Sequence, residues 1–314
     1  MRDVFRVCQF AITACLCCAT THVMAQFAGG DGSPESPYEV ATAEQLYEVR
    51  HFPDDHFIQT ADIDLGGDDP DGEFYNDGEG WVPIQEFSGT YDGQDHEISR
   101  LYINRDKTQV GLFEALTDRS EIRHVVLNEI EIETRNTQGV GGLAASNAGI
   151  MEHCYVSGNI TSSAEEFNIV DNGFGGLAGY NNGLIKRSVS EISLDINFCG
   201  ITRAGSLVGG NHGVIQESYA TGNLYAEACI EETGPRNLEG LGGLSGTNMG
   251  GGKIIDSYAT GEISGAYRDG GGLAGRNWNL FPYEGNNAKK PIRFLYDSLL
   301  IYTSHSSNQT TGVF

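Results

Sequence analysis

From residue 111 to residue 277 the apolar residues fall in short runs of four to six, divided by N-x-G and x-G punctuation. None of these runs sustains the ten or more residues at a 3.6-residue period that a helix needs, so the pattern predicts strands. The runs also recur as one phrase: Gly-Leu, a small residue, Asn, Gly, an apolar residue, a Ser-Tyr-like pair and another apolar residue. It appears in GGLAASNAGIMEHCYVSGNI, GGLAGYNNGLIKRSVSEISL, GSLVGGNHGVIQESYATGNL and GGLSGTNMGGGKIIDSYATGEI, with a looser opening at VGLFEAL and a last one at GGLAGRN.

Spacing inside a unit is tighter than spacing between units. The anchors Leu112, Leu143, Leu177, Leu207, Leu244 and Leu273 are 31, 34, 30, 37 and 29 residues apart. Asn follows four later at Asn147, Asn181, Asn211, Asn248 and Asn277. Eleven after the anchor stand Cys154, Ser188 and Ser218; Ser257 comes two later, beside the extra Gly251 and Gly252. Constant cores with variable tails place the length changes at 161–174, 195–204 and 226–240. A unit of about 30 residues holding three short strands is one coil of a parallel β-helix. The expected fold is therefore an all-β, right-handed parallel β-helix with equivalent residues stacked roughly 4.8 Å apart.

Such stacking predicts rows. The anchor leucines form one, Met151, Ile185, Ile215 and Ile254 a second, and Tyr155, Val189, Tyr219 and Tyr258 a mostly aromatic third. The asparagines form an amide ladder. Glu152 falls over Lys186, and Arg187 over Glu217, on a solvated face. The chain holds 43 Gly against 8 Pro. In a coil that glycine serves corners, where φ > 0 costs it little, and places where backbones come close.

Residues 26–110 read as an N-terminal cap and the first coils. Thr42-Ala43-Glu44-Gln45 is a capping box opening a short helix, with Leu46 and Val49 on one face. Strands follow at Phe57–Leu65 and Ile98–Ile103, with an Asp92-Gly93 turn before the second. Residues 278–314 lose the pattern and read as an irregular tail or an incomplete coil. Residues 1–25 have two arginines, an uncharged apolar run and Val23 and Ala25 before a cut at Gln26, the build of a secretory signal peptide. Ile12-Thr13-Ala14-Cys15 offers a lipoprotein anchor at Cys15 as the alternative. Beyond the signal, Cys199 and Cys229 stand 22 residues after successive anchors, a separation that suits a disulfide, with two stacked thiols as the other reading. Cys154 takes the place of a row serine as a small packed residue.

Charge and chemistry narrow the function. The chain carries 43 acidic and 19 basic residues, net −24. Phosphate backbones are repelled by such a surface, so no nucleic-acid partner is expected. His96-Glu97-Ile98-Ser99-Arg100 approaches H-E-x-x-H, but Arg100 stands where the second His belongs, on a strand instead of a helix. Gly270-Gly271-Gly272-Leu273-Ala274-Gly275 matches G-x-G-x-x-G, yet near-copies open every coil and no helix follows. Gly243-Leu244-Ser245-Gly246 lacks a residue of the G-x-S-x-G elbow. Glu152, Glu217 and Asp256 are scattered among Lys186, Arg187 and His153, with no converging carboxylate pair. The acidic loop at 62–79 (Asp62, Asp64, Asp68, Asp69, Asp71, Glu73, Asp77, Glu79) has two readings, a solvated insertion or a Ca²⁺-stabilised loop. No residue is assigned a catalytic, cofactor-binding or metal role.

The phrases resemble the GLUG motif, named for its G-L-x-G core, of secreted and surface bacterial repeat proteins. The resemblance covers 111–277, and ADIDL … WVPI … FSGTYDGQDHEISRLYI (61–103) looks like the lead-in such repeats carry, with Asp95 where related sequences usually have Gly. It implies export and a binding or structural role: a secreted or cell-surface, adhesin-type scaffold without catalytic activity, binding a protein or glycan. The alternatives are the repeat portion of a larger secreted enzyme, since similar repeats lie beside immunoglobulin-A-cleaving metalloprotease domains, or a carbohydrate-active β-helix. No segment of the mature chain is apolar enough to be an integral membrane span.

Overall fold

A computed structural model describes residues 27–277 except 107, 136, 164–167, 199, 229, 232–233, 236–237 and 267–269. The signal segment with Cys15, the tail from 278 and the Cys199–Cys229 pair lie outside the described residues. The chain winds as a parallel β-solenoid of about six turns. Each repeat contributes to four sheets, one more than the apolar runs suggest. The coil that opens at Gly139 shows the order: Gly139–Gly141 on sheet three, Ala144–Asn147 on sheet four, Ile150–Glu152 on sheet one and Tyr155–Ser163 on sheet two. In the later coils the sheet-two segment is split in two, at Tyr219–Ala220 and Leu224–Ala228 and at Tyr258–Ala259 and Ile263–Ala266. The Gly-Leu step that opens the G-L-x-G phrase, Gly142-Leu143, is all that separates two strands on two sheets.

Register turns sequence spacing into columns. Met151 pairs with Ile185, Ile185 with Ile215 and Ile215 with Ile254 on sheet one. The anchors Leu112, Leu143, Leu177, Leu207 and Leu244 are fully buried. The asparagines make the expected ladder: Asn147 Nδ2 donates to Asn181 Oδ1 (2.8 Å), Asn181 to Asn211 (2.8 Å), Asn211 to Asn248 (2.7 Å) and Asn248 to Asn277 (3.4 Å). A primary amide has donors and an acceptor, so it can give to one neighbour and receive from the other. A column of them is therefore satisfied even in a dry core. The serine column works through the backbone: Ser188, Ser218 and Ser257 each accept from the amide one rung back, at 3.1 Å, and donate to a carbonyl two residues earlier. Cys154 heads this column, fully buried, and burial pushes its thiol up to about 12.

The glycines correct one expectation. Positive φ is absent at the repeat glycines beside the anchors and at the N-x-G glycines Gly149, Gly183 and Gly213; of these turns only Asn248-Met249-Gly250, which carries the extra glycines, has it (Gly250 φ 60°, Gly251 φ 94°). Left-handed backbone falls instead on a column of charged residues, His124, His153, Arg187, Glu217 and Asp256, at the corner between sheets one and two. Close approach is what the glycines serve. A Cβ on Gly209 would lie 2.5 Å from Phe174 N, on Gly246 2.5 Å from Ala204 N, and on Gly275 2.3 Å from Leu241 N. Sheets three and four thus pack backbone against backbone along the second glycine of G-L-x-G, the one separation at which no side chain fits. Ala145 is the exception, opposite the two-residue strand Gln109–Val110.

The N-terminal helix forms as expected, over Ala43–Glu48. Thr42 Oγ1 accepts from Gln45 N (3.3 Å), while Gln45 Oε1 accepts from Ala41 N (2.7 Å), one residue before the usual partner of a capping box. The helix joins two consecutive rungs of sheet one, Tyr38–Val40 and His56–Gln59, and buries Leu46 and Val49 in the core. It closes the first turn, where further strands would leave an open edge.

Candidate functional site

The outward side of sheet two is the broadest polar face in which side chains are placed by register. Its central strands, Val126–Arg135, Tyr155–Ser163 and Val189–Phe198, are nine or ten residues long because the variable segments continue the strands. Part of the expected loops 161–174, 195–204 and 226–240 is therefore sheet. Side chains alternate along each strand, so one set enters the core and the next stands outside. Ile160, Leu194 and Leu224 point inward and are buried.

Outside, register builds three columns. Tyr155, Val189, Tyr219 and Tyr258 form the first, as expected, and it faces solvent; the Tyr219 and Tyr258 rings stack at 4.9 Å and 2°. The second begins Glu131, Asn159, Ser193 and the third Glu133, Thr161, Asp195, Tyr225, Ser264. Between the second and third lies a trough of about 460 Å³, extended at its far end by Asn223 and Glu262. Tyr225 is 41% exposed. Its hydroxyl donates to Glu227 Oε2 (3.0 Å), two residues along the same face, which lays the ring along the strand and raises its pKa. Tyr155 is held the same way, donating to Glu191 Oε2 on the next rung (2.9 Å). No lysine or arginine lines the trough. Sequence reasoning singled out the first column and missed the other two; Thr161 and Asp195 lie in segments that read as loop, and the alternation of Glu131, Glu133 and Arg135 with Ile130, Ile132 and Thr134 was the available signal.

The acidic loop is tied down by cations of the chain itself. Arg100 makes a two-armed pair with Asp64, holding that carboxyl below its usual range. Asp62 accepts from Glu97 N (3.0 Å) and faces His96 Nδ1 (3.1 Å), and its pKa is lowered, chiefly by that amide. Arg105, nearly buried, donates to Trp81 O (3.0 Å), Gly80 O (2.8 Å) and Glu79 Oε2 (2.6 Å). Among the described residues no three His, Cys, Asp or Glu side chains are grouped to hold a metal ion. His96 and Arg100, the ends of the near-miss zinc motif, are both engaged with this loop.

The charged corner column is likewise paired. Lys186 lies 3.3 Å from Glu152, and Arg187 Nε donates to Glu217 Oε2 at 2.6 Å, so the rungs meet as the spacing implied. The His124 and His153 rings stack at 5.2 Å, and His124 Nδ1 is 3.1 Å from Asp92. These pairs are half-buried or exposed at the surface, where ion pairs contribute little stability. Arg187 lies between two of these carboxylates, 2.6 Å from Glu217 Oε2 and 3.9 Å from Glu152 Oε1.

Comparison with known proteins agrees with the repeat. The model of the GLUG motif matches residues 136–161 and 237–264. Halomucin of Haloquadratum walsbyi is 31% identical over 201 residues, covering 62% of this chain and 2% of its own length. A provisionally named Gly-rich membrane protein of Evansella cellulosilytica is 33% identical over 139 residues, covering 41% of this chain and 15% of its own length. The chain thus spans a small part of each relative. A crystal structure of a provisionally assigned immunoglobulin A1 protease from Bacteroides ovatus superposes with a TM-score of 0.49 at 18% identity, over 81% of this chain and 86% of that one.

Proposed function

We infer from its GLUG-motif repeats that the chain is a secreted or cell-surface repeat protein, a non-catalytic scaffold of adhesin type. The observation that carries the reading is the outward face of sheet two. It is polar, continuous across successive turns and fixed by columns whose inner partners are fully buried. Each rung is held by the rung before and after it, so the solenoid behaves as a stiff rod on which that face is displayed. Relatives named halomucin and a Gly-rich membrane protein fit a surface setting, and no helix among the described residues is long and apolar enough to cross a membrane. The signal-like segment 1–25 supplies the route, with cleavage before Gln26 or lipidation at Cys15 as its two outcomes.

The test is to label intact, unpermeabilised cells with antibody raised against the purified chain and to determine the mature N-terminus by mass spectrometry. Surface labelling with Gln26 first, or with a lipid-modified Cys15, supports the reading. Protein found only inside the cell with residues 1–25 intact overturns export. Release of reducing ends from polysaccharides, or cleavage of immunoglobulin A, by the purified chain would overturn the non-catalytic part.

A further inference from the structure

We propose that the trough on sheet two binds a neutral, unbranched oligosaccharide, with Tyr225 as the platform on which a sugar ring stacks. Asp195, Glu262, Asn159 and Asn223 take its hydroxyl groups. The inference rests on the reading of sheet two as the displayed face and names the chemistry of its ligand.

Three observations select that chemistry. The first is the mixture of groups. A hexose presents an apolar C–H face and a rim of hydroxyls, and so needs an aromatic ring next to paired acceptors and donors. Tyr225 is one of three large hydrophobic side chains that are exposed among the described residues, and it is the one inside the trough. Its ring is already fixed by the bond to Glu227, so stacking on it loses little side-chain freedom. The carboxylates of Asp195 and Glu262 accept from hydroxyls, the amide of Asn159 both donates and accepts, and Asn223, whose Oδ1 already accepts from Glu262 N (3.0 Å), donates through Nδ2.

The second is charge. Two carboxylates and no cation line the trough, in a chain of net charge −24. Uronates, sulfated sugars and phosphates are repelled from it, whereas a neutral sugar is not. Asp195 and Glu262 belong to different columns and to rungs two apart, so they do not form the close oxygen cage a divalent cation requires.

The third is shape. The trough crosses four rungs, about 14 Å at about 4.8 Å per rung, and its volume of about 460 Å³ is within the range of small-molecule sites. A peptide adding as a strand would need a free sheet edge. The strands beneath most of it, Tyr155–Ser163 and Val189–Phe198, are paired on both sides. Among the described residues Ile263–Ala266, at the far end, pairs on one side only, so an added strand would extend the sheet beyond the trough and not fill it.

Calorimetry on the purified full chain tests this with five neutral hexasaccharides (cellohexaose, laminarihexaose, maltohexaose, mannohexaose and xylohexaose) and with hexagalacturonate. Saturable binding to at least one neutral probe is expected, and none to hexagalacturonate. Tyr225→Ala should weaken that binding about tenfold, the loss of one good aromatic contact. Tyr258→Ala, an exposed tyrosine of the same sheet outside the trough, should leave it unchanged. Both sites are on the surface, and unaltered melting shows that the variants fold. The proposal is overturned if the folded chain binds no neutral probe, if hexagalacturonate binds more tightly, or if Tyr225→Ala binds as well as the parent. A chain displayed on the cell surface that binds none of the probes overturns this inference alone. A chain that binds them but is retained inside the cell overturns only the export reading.

Discussion

Replacing Gly209 with alanine isolates the contact that shapes the repeat. The added Cβ would lie 2.5 Å from Phe174 N, 2.7 Å from Gly173 C and 2.7 Å from Gly179 O. All three are backbone atoms, so no rotamer change relieves the overlap. Non-bonded carbon is comfortable at about 3.5–4.0 Å, so sheet three and the adjacent rung Ala178–Asn181 must give by about 1 Å while their hydrogen bonds to neighbouring rungs hold them. Overpacking of this kind costs about 1–3 kcal/mol, against a gain of about 0.4–1 kcal/mol from the stiffer unfolded chain. The net loss is about 1–2 kcal/mol, or a fall in Tm of roughly 2–8 °C for a chain of this size. Gly139→Ala is the internal control. It lies in the same motif with ordinary φ, and its nearest neighbours, Ala145 O and the Tyr180 ring, are at 3.5 Å. It should be neutral or stabilising by up to about 1 kcal/mol. Thermal and urea unfolding followed by circular dichroism measure both variants. Equal losses in the two, or a Gly209→Ala chain as stable as the parent, would refute the backbone-contact explanation.

Further perturbations test separate parts of the structure. Asn181→Ala leaves Asn147 Nδ2 without its acceptor and Asn211 Oδ1 without its donor, both buried, and should cost about 1–3 kcal/mol for each stranded group; a loss under 1 kcal/mol in urea unfolding would deny the ladder its role. Arg105→Met removes the clamp on Gly80 and Trp81 carbonyls, costs about 2–4 kcal/mol and should expose 66–80 to limited proteolysis, whereas adding Ca²⁺ should restore no protection. Cys154, its thiol raised to about 12 by burial, should resist iodoacetamide at pH 8 in the folded chain and react once unfolded, as read by peptide mass spectrometry. Asp64, held low by Arg100, and Glu217, held low by Arg187, favour the folded state above the unfolded carboxylate pKa and lose that contribution as pH falls through their folded values. Tm should therefore drop between about pH 5 and pH 3, and a flat profile would contradict the assignment.

The columns were legible in the sequence because a parallel coil converts constant offsets into contacts. Asn147 to Asn277, Met151 to Ile254 and Tyr155 to Tyr258 could be stacked from spacing alone. Backbone geometry was less legible. Glycine suits both positive φ and close approach, and only coordinates distinguish the two; the repeat glycines serve the second, while His124, Arg187 and Glu217 occupy the left-handed corner. The fourth strand was hidden because Gly139–Gly141 and Ala144–Asn147 are divided by only Gly142 and Leu143, too short a step to read as a turn. The trough was hidden for a related reason. Asp195 lies in a segment of variable length and Tyr225 immediately before one, and their pairing across rungs depends on strand extensions that period-2 alternation marks only faintly.

The placement of those segments is the claim on which the displayed face depends, and engineered cysteines test it directly. Thr161 pairs with Asp195 on adjacent rungs, about 4.8 Å apart, whereas Tyr225 lies one rung further, about 10 Å from Thr161. Mild oxidation of Thr161→Cys/Asp195→Cys should give a disulfide-linked peptide pair by mass spectrometry, and Thr161→Cys/Tyr225→Cys should give none. Failure of the first pair to bridge, or equally rapid bridging of the second, would contradict the register from which sheet two and its trough are built.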